Sequence, residues 1–245
     1  MSVNRTAIND IQVLRSIFAD TDAILLDFDG PVCSVFAGFP APIVAEQLRD
    51  TLSHSWQHAI TTEAKNSGDP FDILSFAATI GDDEARYIEA ALRAHEVEAI
   101  STATPTAGAH EFIRRCHDFG RKLAIVSNNS TAAVEVYLHL HELAKYVDVI
   151  SARADSNLDL LKPSGFLLHQ AATRIGVDVT RCALIGDSVT DIRAAKTASA
   201  FSIGYANKAG KIELFTAEHP NLIITDMTTL RTAISTNGRS TDSNH

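Results

Sequence analysis

The segment AILLDFDG at positions 23–30 runs from four apolar residues directly into two carboxylates and a glycine. Unbroken rather than alternating hydrophobicity marks a strand covered on both faces, the habit of parallel sheets. Short apolar runs of the same kind recur at 122–127 (KLAIVS), 147–151 (VDVIS), 182–186 (CALIG), 200–204 (AFSIG) and 221–225 (NLIIT), with helical patterns between them. Strand and helix in alternation predict an α/β chain with a doubly wound, Rossmann-like parallel sheet. Two crossover helices carry end signals. One spans 106–119 and closes on Gly120. The other has Pro163 at its first position and Gly176 just past its end.

Between Asp29 and Lys122 lie far more residues than one crossover needs. Segments 41–62, 70–80 and 82–99 all read as helix. In the last, Ala85, Ile88, Leu92 and Ala99 form an apolar stripe, while Glu84, Arg86, Glu89, Arg93 and Glu96 form the expected wetted face. An all-helical subdomain at 32–104 is therefore expected inside a catalytic core made of 1–31 and 105–235. Gly38, Pro40 and Pro42 on one side, with Thr104 and Pro105 on the other, are its hinge positions. A helix at 6–19 with Ile8, Ile11, Leu14 and Phe18 on its inner stripe precedes the first strand, and 236–245 reads as a disordered polar tail.

A 45% hydrophobic, 21% charged composition is that of a globular protein, and the net charge of −9 disfavours nucleic acid or an anionic membrane surface as partner. No run is long and apolar enough for a membrane span. Cys33, Cys116 and Cys182 are widely spaced and fit reduced thiols of a cytoplasmic protein.

Asp27 and Asp29 close the first strand, at the sheet edge where open α/β proteins bind ligands. Two carboxylates so close need a cation or a shared proton. Ser127 ends the second strand, and Asn128, Asn129 and Ser130 are expected to open the next helix, offering a hydroxyl and free N–H groups to an anion. Lys162 precedes Pro163 at an expected helix start, where the helix dipole disfavours a lysine unless an anion is near. Asp187 follows the strand CALIG, and Asp191 lies four residues on in GDSVTD. Carboxylate oxygens with no His or Cys among them suit Mg²⁺.

Asp-x-Asp after the first strand, Ser after the second, a lysine and a final acidic pair, in that order over 22–226, resemble the four motifs of the haloacid dehalogenase-like hydrolases. The nearest kinds are the phosphoglycolate phosphatases and β-phosphoglucomutase-like members. The resemblance implies a phosphoric monoester hydrolase with Asp27 as nucleophile and Asp29 as general acid and base. It also implies Mg²⁺ on Asp27, Asp29 (through its carbonyl) and Asp187, with Asp191 ordering that shell. Gly30, Ser127, Asn128 and Lys162 would bind phosphate. The carboxylate at Asp29 sets the chain apart from dehalogenase members, and the insertion at 32–104 looks like the family's type-1 cap. Pro31 stands where Thr is usual, and Ser34 where a second acid is common.

The resulting expectation is hydrolysis of a small phosphorylated metabolite through an aspartyl-phosphate, by a monomer or homodimer. A phosphomutase or phosphotransferase, and a catalytically silent binding module, are the alternatives. His54 and His58 have the spacing of a two-histidine metal face but lack further ligands. They read as a solvated face, or with Trp56, Arg86 or Arg93 as a specificity surface. His139 and His141 read as exposed or capping residues, and the cysteines are given no role.

Overall fold

The computed structural model describes residues 6–52, 56 and 59–234. Its nine strands are β1 (Ala7–Ile8), β2 (Ala23–Leu26), β3 (Cys33–Ser34), β4 (Thr104–Pro105), β5 (Lys122–Ser130), β6 (Val149–Arg153), β7 (Cys182–Gly186), β8 (Phe201–Tyr205) and β9 (Leu222–Ile224). Seven of them form one sheet in the order β1-β9-β8-β7-β2-β5-β6, every neighbour parallel. From β2 the chain steps outward to β5 and β6, then returns to β7 on the other flank of β2. That reversal opens a crevice at the carboxyl end of β2.

Period-two alternation divides β2 and β5 between two cores. Ile24, Leu26, Leu123 and Ile125 pack with the helices Ile11–Asp20, Ala109–Asp118 and Thr131–Leu140, while Ala23, Leu25, Ala124 and Val126 pack with Phe166–Ile175 and Val189–Thr197. Each fully buried Ile or Leu contributes about 1.5–3 kcal/mol of burial, which is why 23–26 and 123–126 contain no polar residue.

Helices Ala41–Thr51, Thr62–Asn66, Pro70–Ile80 and Asp82–Ile100 form a separate layer around Val44, Leu48, Ile73, Leu74, Ile88 and Leu92. The two chain segments that join this layer to the sheet pair with each other, β3 antiparallel to β4. The expected hinge residues Thr104 and Pro105 are thus themselves half of a short ribbon.

Several local expectations need correction. Residues 7–8 add a strand beside β9, so the first helix begins only at Ile11, capped by Asp10, and Ile8 is exposed while Ile17 takes its place inside. Segment 41–62 is not one helix, since the first ends at Thr51. The helix expected to start at Pro163 starts at Phe166, although Gly176 does end it in a left-handed conformation. Asn128, Asn129 and Ser130 continue β5, and the helix begins at Thr131 with Ser130 as its cap. In the long helix Asp82–Ile100, Glu89 and Glu96 are buried instead of wetted. The expected tail at 236–245 and the pair His54 and His58 lie outside the described residues.

Candidate active site

Because β2, β5 and β7 are neighbours, Asp27, Ser127 and Asp187 arrive side by side at one sheet edge. The Asp27 amide continues the ladder, donating to the Ile185 carbonyl at 2.9 Å, so the carboxylate leaves a fixed backbone. Lys162 reaches the same point from the β6 connection. Its Nζ donates to Asp27 Oδ1 at 2.6 Å, Asp191 Oδ1 at 2.6 Å and the Val126 carbonyl at 3.1 Å, one acceptor for each of its three protons. The helix-start argument for Lys162 is overturned. The lysine is buried well before its helix, and the two carboxylates it bonds are the reason it is there.

Burial alone would lower the Lys162 pKa, but the Asp191 and Asp27 carboxylates outweigh it and hold the ammonium protonated above the ordinary lysine range. Burial, and then the Asp191 carboxylate, push Asp27 well above the usual carboxylate range, with Lys162 pulling the other way. Asp29 is raised by burial as well, countered by the Val35 N–H that donates to its Oδ1 at 2.9 Å.

Two glycines make room for the second acidic pair. A Cβ on Gly30, whose φ is +101°, would stand 2.3 Å from Asp187 Cγ, and one on Gly186 would stand 2.2 Å from Asp191 Cγ. Asp187 Oδ2 accepts from Asn207 Nδ2 at 2.9 Å and Lys211 Nζ at 2.7 Å. Asp191 has both oxygens engaged, Oδ1 by Lys162 and Oδ2 by the Ser188 N–H and hydroxyl in a reciprocal helix cap.

Ser127 and Asn128 stand where expected, but neither is idle. The Ser127 hydroxyl lies 3.2 Å from Asn129 Oδ1 and accepts the Asn129 N–H at 3.1 Å. Asn128 clamps the Lys162 peptide from both sides, its Nδ2 donating to the Lys162 carbonyl and its Oδ1 accepting the Lys162 N–H. The N–H groups expected to be free are partly taken. Ser130 N–H donates to Glu96 Oε2 at 2.9 Å, so a carboxylate from the helical layer already sits at the start of that helix.

Asp27, Asp29, Ser127, Asn128, Lys162 and Asp187 line a cavity of about 420 Å³, roofed by Phe36, Ala41 and residues 68–71. Neither Trp56, whose indole N–H bonds Glu84, nor Arg86 and Arg93, which pair with Asp83 and Glu89, lines it. Sequence reasoning also missed Asn207 and Lys211. Lys211 opens the helix Lys211–Glu218, so the unfavourable dipole that does not apply to Lys162 is a true signal there.

Oxygens of Asp27, Asp187 and Asp191 lie within 4.8 Å of one another. Among the described residues the ion pairs to these three carboxylates come from Lys162 and Lys211 and none reaches Asp29, so carboxyl groups outnumber ammonium groups. A hard divalent cation fits that surplus and that donor set.

The haloacid dehalogenase-like hydrolase family model matches residues 21–199. A phosphoglycolate phosphatase of Vibrio parahaemolyticus is 26% identical over 89% of this chain and 95% of its own length. Another, from Neisseria meningitidis, is 33% identical, but the match covers 43% of this chain and 45% of that protein. Among solved structures, a predicted phosphoglycolate phosphatase from Haemophilus somnus superposes with a TM-score of 0.64 at 16% identity, covering 87% of this chain and 97% of that one. CbbY from Rhodobacter sphaeroides in complex with phosphate does so with a TM-score of 0.59 at 18% identity, covering 85% and 95%. With an acid, a hydroxyl, a lysine and a second acidic pair converging on one sheet edge, the chain belongs to the haloacid dehalogenase-like hydrolases, on their phosphatase branch.

Proposed function

We propose that the chain hydrolyses a small phosphomonoester through an aspartyl-phosphate on Asp27. The observation that carries this reading is the contact of Asp27 with Lys162 at 2.6 Å in a cavity that Asp29 and Ser127 also line. Asp27 attacks phosphorus as the bond to the leaving oxygen breaks, and Asp29 gives that oxygen its proton. Asp29 then takes a proton from water, which attacks phosphorus and frees Asp27. Lys162 and Ser127 hold the phosphoryl oxygens, and Lys162 reduces repulsion between two anions. Asp27, Asp187 and the Asp29 carbonyl would hold Mg²⁺, which supplies charge neutralisation for phosphoryl transfer. Asp191, engaged at both oxygens, positions Lys162 instead of offering itself as a ligand.

The helical layer at 32–104 acts in this reading as the cap that excludes water and selects the leaving group. A cavity of about 420 Å³ supports a compact substrate. The relatives make phosphoglycolate the first compound to assay. Among the described residues, however, the roof contributes Asp69 and no lysine or arginine, and Lys208 lines an adjoining cavity, which favours a neutral leaving group over a carboxylate. Among the described residues no helix is long and apolar enough to cross a membrane. The three buried free cysteines support a reducing, cytoplasmic setting.

The test is phosphate release from aryl and alkyl phosphates with and without Mg²⁺. Turnover is expected to need the metal and to yield one phosphate per substrate lost; isomerised product without phosphate would refute hydrolysis. In single-turnover release of the leaving group, which precedes the step where Asp29 acts as base, Asp29→Asn should slow an alkyl phosphate by about 10²-fold or more and an aryl phosphate much less, because a nitrophenolate leaves without a proton. Equal losses on both would remove Asp29 as the acid.

A further inference from the structure

Glu89 and Glu96 lie seven residues apart on one face of the helix Asp82–Ile100, and both are buried, Glu96 completely. Their common partner is Arg153 at the end of β6, itself buried. Arg153 Nη1 donates to Glu89 Oε1 at 2.5 Å, Nη2 to Glu96 Oε2 at 2.6 Å, and Nε to the Asn128 carbonyl at 3.0 Å. Only a planar fork can meet three such acceptors at once, and the Phe71 ring lies 5.6 Å from its carbon. Arg93, at 3.4 Å from Glu89, is the further cation at the rim.

Two routes lead from this trio to the phosphate-binding residues. Through Asn128, whose carbonyl takes the Arg153 Nε–H, the first reaches Lys162, because the Asn128 amide clamps the Lys162 peptide at 2.8 and 3.0 Å. Through Glu96, the second reaches Asn129, whose Nδ2 donates to Glu96 Oε1 at 3.2 Å and whose Oδ1 lies 3.2 Å from the Ser127 hydroxyl. Burying two carboxylates and a guanidinium is a poor way to gain stability, since apolar residues of like volume usually serve as well or better. What the trio supplies instead is one fixed register between the helical layer and the end of β5.

We propose that Arg153, Glu89 and Glu96 are positioning residues for phosphoryl transfer, acting through Asn128 on Lys162 and through Asn129 on Ser127. The inference rests on the reading of Asp27, Ser127 and Lys162 as the phosphoryl site. It assigns to the helical layer a part in setting the phosphate-binding geometry, beyond roofing the substrate.

The test compares the full-length protein with Arg153→Lys, Glu96→Gln, Glu89→Gln, Asn129→Ala and a control, Leu48→Ala, which opens a cavity in the apolar core of the helical layer. Each is measured with an aryl phosphate and Mg²⁺ well below its melting temperature, and for binding of inorganic phosphate by calorimetry. A misplacement of about 1 Å at such a site costs on the order of 10²-fold, so Arg153→Lys and Glu96→Gln should lower kcat about 10- to 100-fold with KM changed by less than about 3-fold. They should also weaken phosphate binding. Leu48→Ala should lower the melting temperature at least as much and leave kcat per folded molecule unaltered. Should Arg153→Lys and Glu96→Gln fail to fold, Glu89→Gln, which leaves Arg153 its bonds to Glu96 and Asn128 and lies outside the cavity lining, must still lower kcat, since Asn129 itself lines the cavity.

Unchanged kcat and phosphate affinity in the folded variants would overturn the proposal and leave the trio as a structural tie. A wild-type protein that turns over no phosphomonoester would instead refute the reading of Asp27, and the positioning role would fall with it.

Discussion

Among the described residues two buried clusters gather carboxylates around a cation, and they are built to opposite ends. At the carboxyl edge of the sheet, Asp27, Asp29, Asp187 and Asp191 surround Lys162 and Lys211, carboxylates outnumber direct ammonium contacts, and the cluster opens on a cavity. At the seam with the helical layer, Glu89 and Glu96 close on Arg153, Arg93 pairs with Glu89 at the rim to match the two carboxylates with two guanidinium groups, and backbone and amide donors take up what the guanidinium groups leave. Lysine serves the first because its compact charge on a flexible stem can exchange one of its three acceptors for a phosphoryl oxygen. Arginine serves the second because a rigid fork fixes geometry. Excess charge beside open space is a site awaiting a cation and an anion, whereas balanced charge in a closed space is a joint.

Removing one member of each cluster should therefore give opposite results. Asp27→Asn takes away the proposed nucleophile and should lower turnover by more than about 10³-fold. It also relieves crowding with Asp191, so thermal stability should hold or rise. Residual activity near wild type, or a large loss of stability, would break the distinction. Arg153→Met strands two buried carboxylates and should cost about 3–5 kcal/mol of folding free energy by urea titration, because an uncompensated buried charge is the expensive case. A cost under about 1 kcal/mol would show that the seam is solvated and not a closed joint.

These clusters also differ in how far they could be read from sequence. The strand-end acids were legible because each follows an apolar run, so the strand pattern alone delivers Asp27, Ser127 and Asp187 to one edge. Lys162 was found for the wrong reason, since its helix begins at Phe166 and its placement comes from ion pairs with residues 135 and 29 positions away. Glu89 and Glu96 were misread because helical periodicity assigns charge to water by default. Their partner Arg153 is 64 and 57 residues further on, a pairing that no local pattern encodes. Ile8 was misread for a related reason, because whether 7–8 is helix or strand depends on β9, more than two hundred residues later. Local patterning thus places the groups that act at strand ends, and misses the groups whose role is to join layers.

A third cluster, polar but without fixed charge, sharpens the contrast on a smaller scale. His110 Nε2 lies 2.7 Å from the Tyr137 hydroxyl, and its ring packs against His141. Burial, then the neighbouring His141 and Arg114, lower His110 from 6.5 to about 4. Above pH 6.5 the imidazole is neutral in both the folded and the unfolded chain and contributes no pH dependence. Between 6.5 and about 4 the unfolded chain takes up a proton that the folded one refuses, so stability falls as pH falls, by about 2 kcal/mol after allowance for partial solvent access. His110→Gln removes that proton uptake. Urea midpoints at pH 7.5 and 4.5 should therefore drop less for the variant than for the wild type. Because every carboxylate titrates in both proteins, the difference between their two drops isolates His110. Equal drops would mean that the imidazole is protonated in the folded state as readily as in the unfolded one, and that this polar cluster, like the strand-end site, accommodates charge.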